Sequence, residues 1–265
     1  MNKRVKKFNF FLLWIIVSLP SFGQNLETVI QKGHELAVLA VAASPDSNYI
    51  ATASRDKSAK LWEVSSGREV RSFLGHELSV TAVDFSSDGK LLATGSNDKT
   101  VRLWNVETGK EQALFTVNYR VTAVAFDPSS KFIAVSGYQT EYTGRARDWD
   151  DSVYLFDIKS KKLIKKLEAN PDKGLGFGVD VAVSPDSKWL AIGEDNRKAF
   201  VYSLPDLKKT YSFEYENKES SCGGCNTRVV FSPDSKIIYM ASHNGPAKKY
   251  SLKDGALLKI YPEEI

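Results

Sequence analysis

The sequence predicts an all-β fold made of repeated four-stranded units. Two stretches match each other at a spacing of 42 residues, from His34 to His76, Asp56 to Asp98 and Trp62 to Trp104. Short runs rich in β-branched, apolar and aromatic residues alternate with clusters of Gly, Asp and Ser, the pattern of strands joined by tight turns. A fixed period of this size marks a repeat architecture. Four short strands make too small a core alone, so neighbouring units must bury each other's faces.

The first unit supplies the strands VLAVAAS, YIATAS, AKLWEV and EVRSFL, separated by PDSN, RDKS and SSGR. The second, GHELSVTAVDFSSDGKLLATGSNDKTVRLWNVETGKEQALF, repeats it closely. Three less regular units follow, with Phe156, Tyr202 and Tyr250 in the place of Trp62 and Trp104. The aromatic spacing widens there to 52, 46 and 48 residues, and loops are where insertions are tolerated. The five units span approximately 33–74, 75–116, 117–170, 171–216 and 217–265.

The first two units resemble WD-repeat propellers, and the resemblance extends over about residues 25–260. The residues that carry it are Gly33-His34 with Trp62, and Gly75-His76 with Trp104. It implies a β-propeller of four-stranded antiparallel blades over residues 24–265. It also implies a hydrogen-bonded network within each blade, here His34, Ser54, Asp56 and Trp62, then His76, Ser96, Asp98 and Trp104. The segment LETVIQKG before His34 looks like the fourth strand of a preceding blade, yet the fifth unit seems to own a fourth strand, GALLKIY. An incomplete ring, or a piece of a longer chain, is therefore expected.

Residues 1–23 carry Lys3, Arg4, Lys6 and Lys7 with no acid, then the apolar run FNFFLLWIIVSL and the small-residue pattern Ser21-Phe22-Gly23. This reads as a secretory signal peptide, and the apolar run is short for a membrane span. It places the chain as a bacterial, exported member of the family, periplasmic or secreted, with no stable membrane insertion after cleavage. Those four cations account for the formal net charge of +4. The remaining chain is close to neutral and lacks the general basic footprint of a nucleic-acid binder.

A catalytic triad should occur once and converge on one pocket. Here His, Ser and Asp recur with the repeat, so blade-holding hydrogen bonds are the better reading. Of three histidines, His34, His76 and His243, two are used this way, which leaves no cluster for a transition metal. Phosphate-loop, G-x-S-x-G and calcium-loop motifs are missing from the sequence. The Asp in each SPDS-like segment is read as a turn former. No cofactor and no enzymatic activity are expected.

Cys222 and Cys225 in SCGGC are a candidate disulfide, with a redox pair or unpaired thiols as alternatives. Three long loops, 138–151, 168–178 and 214–226, fall on one rim of the expected disc. The first mixes aromatic residues, arginines and acids, and Arg145, Arg147 and Trp149 are its candidate partner contacts. The expected function is a protein-binding scaffold whose partner is another protein or a further domain of a larger one. The alternative is a propeller enzyme, or a carbohydrate or small-molecule site, at the central channel. That would need acids converging from several blades; Glu194 and Asp195 instead fall in the slot of the Ser96 region.

Overall fold

The computed structural model describes residues 33–138, 152–167, 178–194, 197–214, 227–242 and 245–261. Within them, five four-stranded antiparallel sheets follow one another, each with its strands in chain order. The first blade is β1 (Val38–Ala43), β2 (Tyr49–Ser54), β3 (Ala59–Glu63) and β4 (Glu69–Phe73). The second is β5 (Val80–Phe85), β6 (Leu91–Ser96), β7 (Thr100–Asn105) and β8 (Glu111–Thr116). The third is β9 (Arg120–Phe126), β10 (Phe132–Tyr138), β11 (Val153–Asp157) and β12 (Leu163–Leu167). The fourth is β13 (Gly178–Val183), β14 (Trp189–Glu194), β15 (Lys198–Ser203) and β16 (Lys208–Glu214). The fifth is β17 (Thr227–Phe231), β18 (Ile237–Ser242), β19 (Gly245–Ser251) and β20 (Leu257–Tyr261). The fold is an all-β propeller array of five visible blades.

The turns explain why the chain reverses where it does. In the first hairpin, Ser44 Oγ donates to Asp46 Oδ1 at 2.5 Å while accepting from the Tyr49 N–H at 2.9 Å. Asp46 Oδ1 also accepts from the Asn48 N–H at 3.0 Å. The Asp46 carboxylate is thus used up as a turn former. Ser86 and Asp88, Ser184 and Asp186, and Ser232 and Asp234 repeat the arrangement. One residue in the first hairpin turn of every blade is left-handed: Ser47, Gly89, Ser130, Ser187 and Ser235. A glycine at this place in the second blade removes the steric penalty that the serines carry.

The core lies between blades rather than inside them. Four apolar clusters occur among the described residues, and each draws on two consecutive blades. Ala51, Ala53, Leu61 and Phe73 of the first blade meet Val80, Val83, Phe85, Leu92 and Trp104 of the second. Leu103 and Phe115 of the second meet Val121, Val124, Ile133 and Phe156 of the third. The third and fourth blades, and the fourth and fifth, are joined the same way. First strands lie side by side, β1 with β5, β5 with β9, β9 with β13 and β13 with β17.

Polar ties cross the same seams. Asp84 Oδ2 accepts from the Phe126 N–H at 2.8 Å, and Asp180 Oδ2 from the Val229 N–H at 2.8 Å. Thr81 Oγ1 donates to the Val121 carbonyl at 2.6 Å. At Gly193 the approach is closest, because a Cβ there would lie 2.1 Å from the Thr227 carbonyl oxygen of the next blade.

That contact generates a prediction. Gly193→Ala forces two backbones apart at the seam between the fourth and fifth blades. It is expected to destabilise the fold by about 1–3 kcal/mol, the usual cost of overpacking. Equilibrium urea denaturation checks it.

Candidate functional site

The sharpest polar constellation occurs twice. In the first blade, His34 follows Gly33 just before β1, Thr52 lies on β2, Asp56 in the turn after β2, and Trp62 on β3. The Trp62 indole N–H donates to Thr52 Oγ1 at 2.8 Å. Thr52 Oγ1 lies 2.7 Å from His34 Nε2, and His34 Nδ1 lies 2.8 Å from Asp56 Oδ2. In the second blade, Trp104 Nε1, Thr94 Oγ1, His76 and Asp98 repeat the chain at 2.8 Å for each of its three links.

The chemistry of the donors orders this relay. An indole N–H only donates, so the threonine oxygen accepts there and its single proton points to His Nε2. A neutral imidazole that accepts at Nε2 carries its proton on Nδ1 and donates it to the carboxylate. The indole, threonine and imidazole groups of the relay are then all satisfied, which is what such a network contributes to stability. The His76 side chain is 1% exposed and that of Asp98 7%, against 4% and 10% for His34 and Asp56.

Each aspartate also organises backbone. Asp56 Oδ2 accepts from the Glu35 N–H, and Asp98 Oδ2 from the Glu77 N–H. Asp56 Oδ1 accepts from the Ser58 N–H and hydroxyl, and Asp98 Oδ1 from those of Thr100. One carboxylate therefore pins both the loop that enters a blade and the turn between its second and third strands. Burial opposes ionisation of Asp56. Hydrogen bonds from Ser58, His34 and the backbone N–H groups of Ser58 and Glu35 outweigh it and bring the carboxyl to about 2, from an ordinary 3.8. Asp98 is also lowered, with burial again opposed by hydrogen bonds led by His76 and Thr100.

Ser54 and Ser96 do not link histidine to tryptophan. Ser54 Oγ donates to the Leu36 carbonyl and accepts from the Asp56 N–H; Ser96 does the same with Leu78 and Asp98. The link is Thr52 or Thr94, two residues earlier on the strand. Strand parity alone does not find it, because side chains two apart point the same way and Ile50, the cross-strand partner of Trp62, shares its sheet face with both Thr52 and Ser54.

The other three blades fill the same positions with apolar groups. Strand register puts Phe156, Tyr202 and Tyr250 opposite Ile133, Leu190 and Ile238, as Trp104 is opposite Leu92. The threonine position becomes Val135, Ile192 and Met240. Phe156 stacks on Phe115 at 4.6 Å and Tyr250 on Phe213 at 4.1 Å. Glu194 lies at the register position of Ser96 and is fully buried, so it does not line an open channel mouth. Arg145, Arg147, Trp149, Cys222, Cys225 and His243 lie outside the described residues. Among the described residues, no group of three or more His, Cys, Asp or Glu is placed to hold a metal ion. No helix among them is long and apolar enough to cross a membrane.

The WD domain, G-beta repeat family model matches residues 24–63, 67–105 and 109–157. These segments are similar to WD repeats. The fourth and fifth sheets lie beyond the matches but share the four-stranded form. Among curated proteins, a ribosome biogenesis protein BOP1 homolog of Drosophila virilis is 35% identical over 75 residues, covering 26% of this chain and 10% of that protein. The homolog of Drosophila ananassae is also 35% identical, over 75 residues, 26% of this chain and 9% of its own length. A protein LST8 homolog of Drosophila pseudoobscura pseudoobscura is 28% identical over 109 residues, covering 39% of this chain and 32% of that protein. The matches thus span about a tenth to a third of these relatives' lengths.

The bacterial, exported assignment drawn from residues 1–23 is overturned by these relatives. They are fly proteins, and several are named for ribosome biogenesis, which proceeds inside cells. The periplasmic or secreted location, and the signal reading on which it rested, are withdrawn. A basic start and a short apolar run are features of composition alone. The WD-repeat reading stands without them. WD repeats like those matched are typically interaction scaffolds without catalytic activity.

Two predictions follow from the relay and its carboxylates. Thr94→Val leaves the Trp104 N–H and the His76 ring without their shared partner. It should cost about 2–3 kcal/mol, because unsatisfied buried polar groups are expensive. Adding Trp104→Phe should cost less than the sum of the two single changes, as a double-mutant cycle in urea will report. The second concerns pH. Asp56 has a folded value below its ordinary one, so its stabilisation is complete above about pH 4 and is lost as pH falls toward about 2. Asp84 has the opposite sign: burial, the main influence, pushes it up to about 6 against the Phe126 and Phe85 N–H bonds. Its contribution declines as pH rises from about 4 through 6. Asp56→Asn should flatten the acid limb of a stability–pH curve, and Asp84→Asn should flatten the decline toward neutrality.

Proposed function

We propose that this array is a protein-binding scaffold that meets its partner along the rim where one blade leads into the next. The observation that carries the reading is that the relays fix this rim in duplicate. The carboxylates of Asp56 and Asp98 hold the N–H groups of Glu35 and Glu77. Backbone bonds from Arg55 to Ala37 and from Asn97 to Ser79 tie the adjoining turn to the same loop. Exposed Glu35-Leu36 and Glu77-Leu78 are thereby presented in the same frame, with Leu36 58% and Leu78 46% exposed. Pre-ordered loops lose little entropy on binding, which favours recognition.

Strand connectivity supports the same rim for the longer loops. Antiparallel order brings the end of each second and fourth strand to the edge where the third, and the next blade, begin. Segments 139–151, 168–177 and 215–226 connect such ends. Arg145, Arg147 and Trp149 remain proposed contacts, since arginine and tryptophan are common anchors of interfaces. The partner is another protein or a further domain of the same protein, not a nucleic acid, given the near-neutral chain beyond residue 23.

The test is capture by the full chain from an extract of its source organism, read by mass spectrometry. A bait with Leu36→Ser and Leu78→Ser, and another with Arg145, Arg147 and Trp149 changed to Ala, should each hold the partner at least about tenfold more weakly, as loss of a hot-spot contact does. Circular dichroism should show both baits folded. Equal capture by all three would remove the rim from the binding surface.

A further inference from the structure

The third blade concentrates positive charge at the end opposite the rim, where its first strand turns into its second and its third into its fourth. Segments 127–131 and 157–166 hold Lys131, Lys159, Lys161, Lys162, Lys165 and Lys166 against Asp127 and Asp157, a formal charge of +4. The equivalent segments carry −1 in the second blade (86–90 and 105–114) and +1 in the fourth (184–188 and 203–212). All six lysines are exposed. The backbone brings the two turns together, since the Ile158 N–H donates to the Lys131 carbonyl at 3.0 Å.

Acids are replaced here where other blades place them. In the matching first turns, Lys90 lies 3.8 Å from Asp88, Lys188 3.5 Å from Asp186 and Lys236 4.0 Å from Asp234. In the third blade the serine and the aspartate of this turn have changed places. Asp127 is 1% exposed and accepts from Ser129 Oγ, so a serine stands where the carboxylate beside Lys131 would be. On the fourth strands of the first two blades, Glu69 pairs with Lys60 and Glu111 with Arg102. The same register position in the third blade is Leu163. Asp157 remains, and it accepts from the Ser160 N–H at 2.5 Å.

Lysine also stands where it is costly. Lys161 is left-handed, with φ 59°, at the turn position that Gly67, Gly109 and Gly255 hold in other blades, and a glycine avoids that strain. Its Nζ donates to the Gln112 carbonyl at 2.5 Å, which fixes the hairpin against the second blade. Neighbouring like charges repel one another. Lysines on an edge strand block unwanted pairing, which accounts for Lys165 on β12. Lys131, Lys159 and Lys161 lie in turns, off that edge.

We infer that this corner of the third blade docks an acidic segment of a protein partner. Carboxylates of that segment meet the lysines, and its apolar side chains meet Leu163 and Ile164, which are 49% and 53% exposed between Lys162 and Lys165. Charge complementarity of this kind steers encounter and discriminates among partners. A nucleic acid fits less well, because the two segments hold no arginine and no exposed aromatic ring on which bases could stack. A flat anionic bilayer would also meet the turns of the second blade, which carry −1. The corner lies away from Glu35-Leu36 and Glu77-Leu78, so the inference goes beyond the rim and does not rest on it.

Fluorescence anisotropy with the full chain at low salt tests this, using a labelled peptide of alternating glutamate and leucine as the probe. The peptide should bind, and more weakly as salt rises. Lys131→Glu with Lys162→Glu should weaken binding at least about tenfold. Lys90→Glu with Lys188→Glu makes the same change of charge on the flanking blades and should leave affinity within about twofold. Circular dichroism should show both variants folded. Absence of binding overturns the proposal, as does an equal loss in both variants, which would report net charge alone. Tighter binding of a thymidine oligonucleotide or of phosphatidylserine vesicles, lost in Lys131→Glu with Lys162→Glu, overturns the assignment to an acidic protein.

Discussion

Every blade depends on the burial of one sheet face against the next. A single four-stranded sheet of short strands has two apolar faces and no interior. Its stability comes from the seam, where Leu61 and Phe73 of one blade close over Val83, Leu92 and Trp104 of the other. The seam demands small residues where backbones approach and large ones where they diverge. Ala51, Ala93, Ala134 and Ala191 meet the first demand in four blades, and the tryptophan, phenylalanine and tyrosine of the third strands meet the second. Asp84 and Asp180 enter the seam with partners, each accepting an N–H bond from the following blade.

The relay answers a problem that the seam creates. A large aromatic residue belongs on the third strand, and an indole there brings a buried N–H. Once that donor is present, a threonine must accept from it, a histidine must accept from the threonine, and an acid must fix the histidine. The members stand or fall together, because removing one strands the others without water. The third, fourth and fifth blades are consistent with this. None keeps the indole, and none keeps the threonine: Val135 accompanies Phe156, Ile192 accompanies Tyr202, and Met240 accompanies Tyr250. Burial, then the charge of Glu194, pushes the Tyr202 hydroxyl up to about 12, so it stays a neutral phenol.

Most of the architecture was legible because it is periodic. The spacing of Trp62 and Trp104 and the Ser–Asp turn segments are local signals, and local signals survive without an alignment. The strand order within a blade follows from the short turns. The threonine link was harder to see, because Ser54 and Ser96 are equally polar and sit closer to the aspartates. Strand parity does not separate them, since Ile50, Thr52 and Ser54 share one sheet face; the Trp62 indole reaches Thr52, while Ser54 turns to the Leu36 carbonyl. The cellular address was misread for a different reason. Basic and apolar residues in residues 1–23 describe a composition, and composition carries no information about lineage. Arg145, Arg147 and Trp149 were singled out by residue type alone and lie outside the described residues.

The outward faces of the first and fifth described blades differ in composition. A blade inside the array must satisfy two neighbours, so both its faces are held to the same volumes and the same polarity. Tyr239 and Lys249 depart from alanine and leucine together, on one face, at cross-strand positions. Neither change is tolerable beneath another blade, and both are favourable in water, where the lysine stem lies over the aromatic ring and its charge stays solvated. The first blade shows no such departure: Val41, Ile50, Trp62 and Val64 keep the residue types of Val83, Leu92, Trp104 and Val106. That face keeps the composition of a seam while its valines are 51–66% exposed.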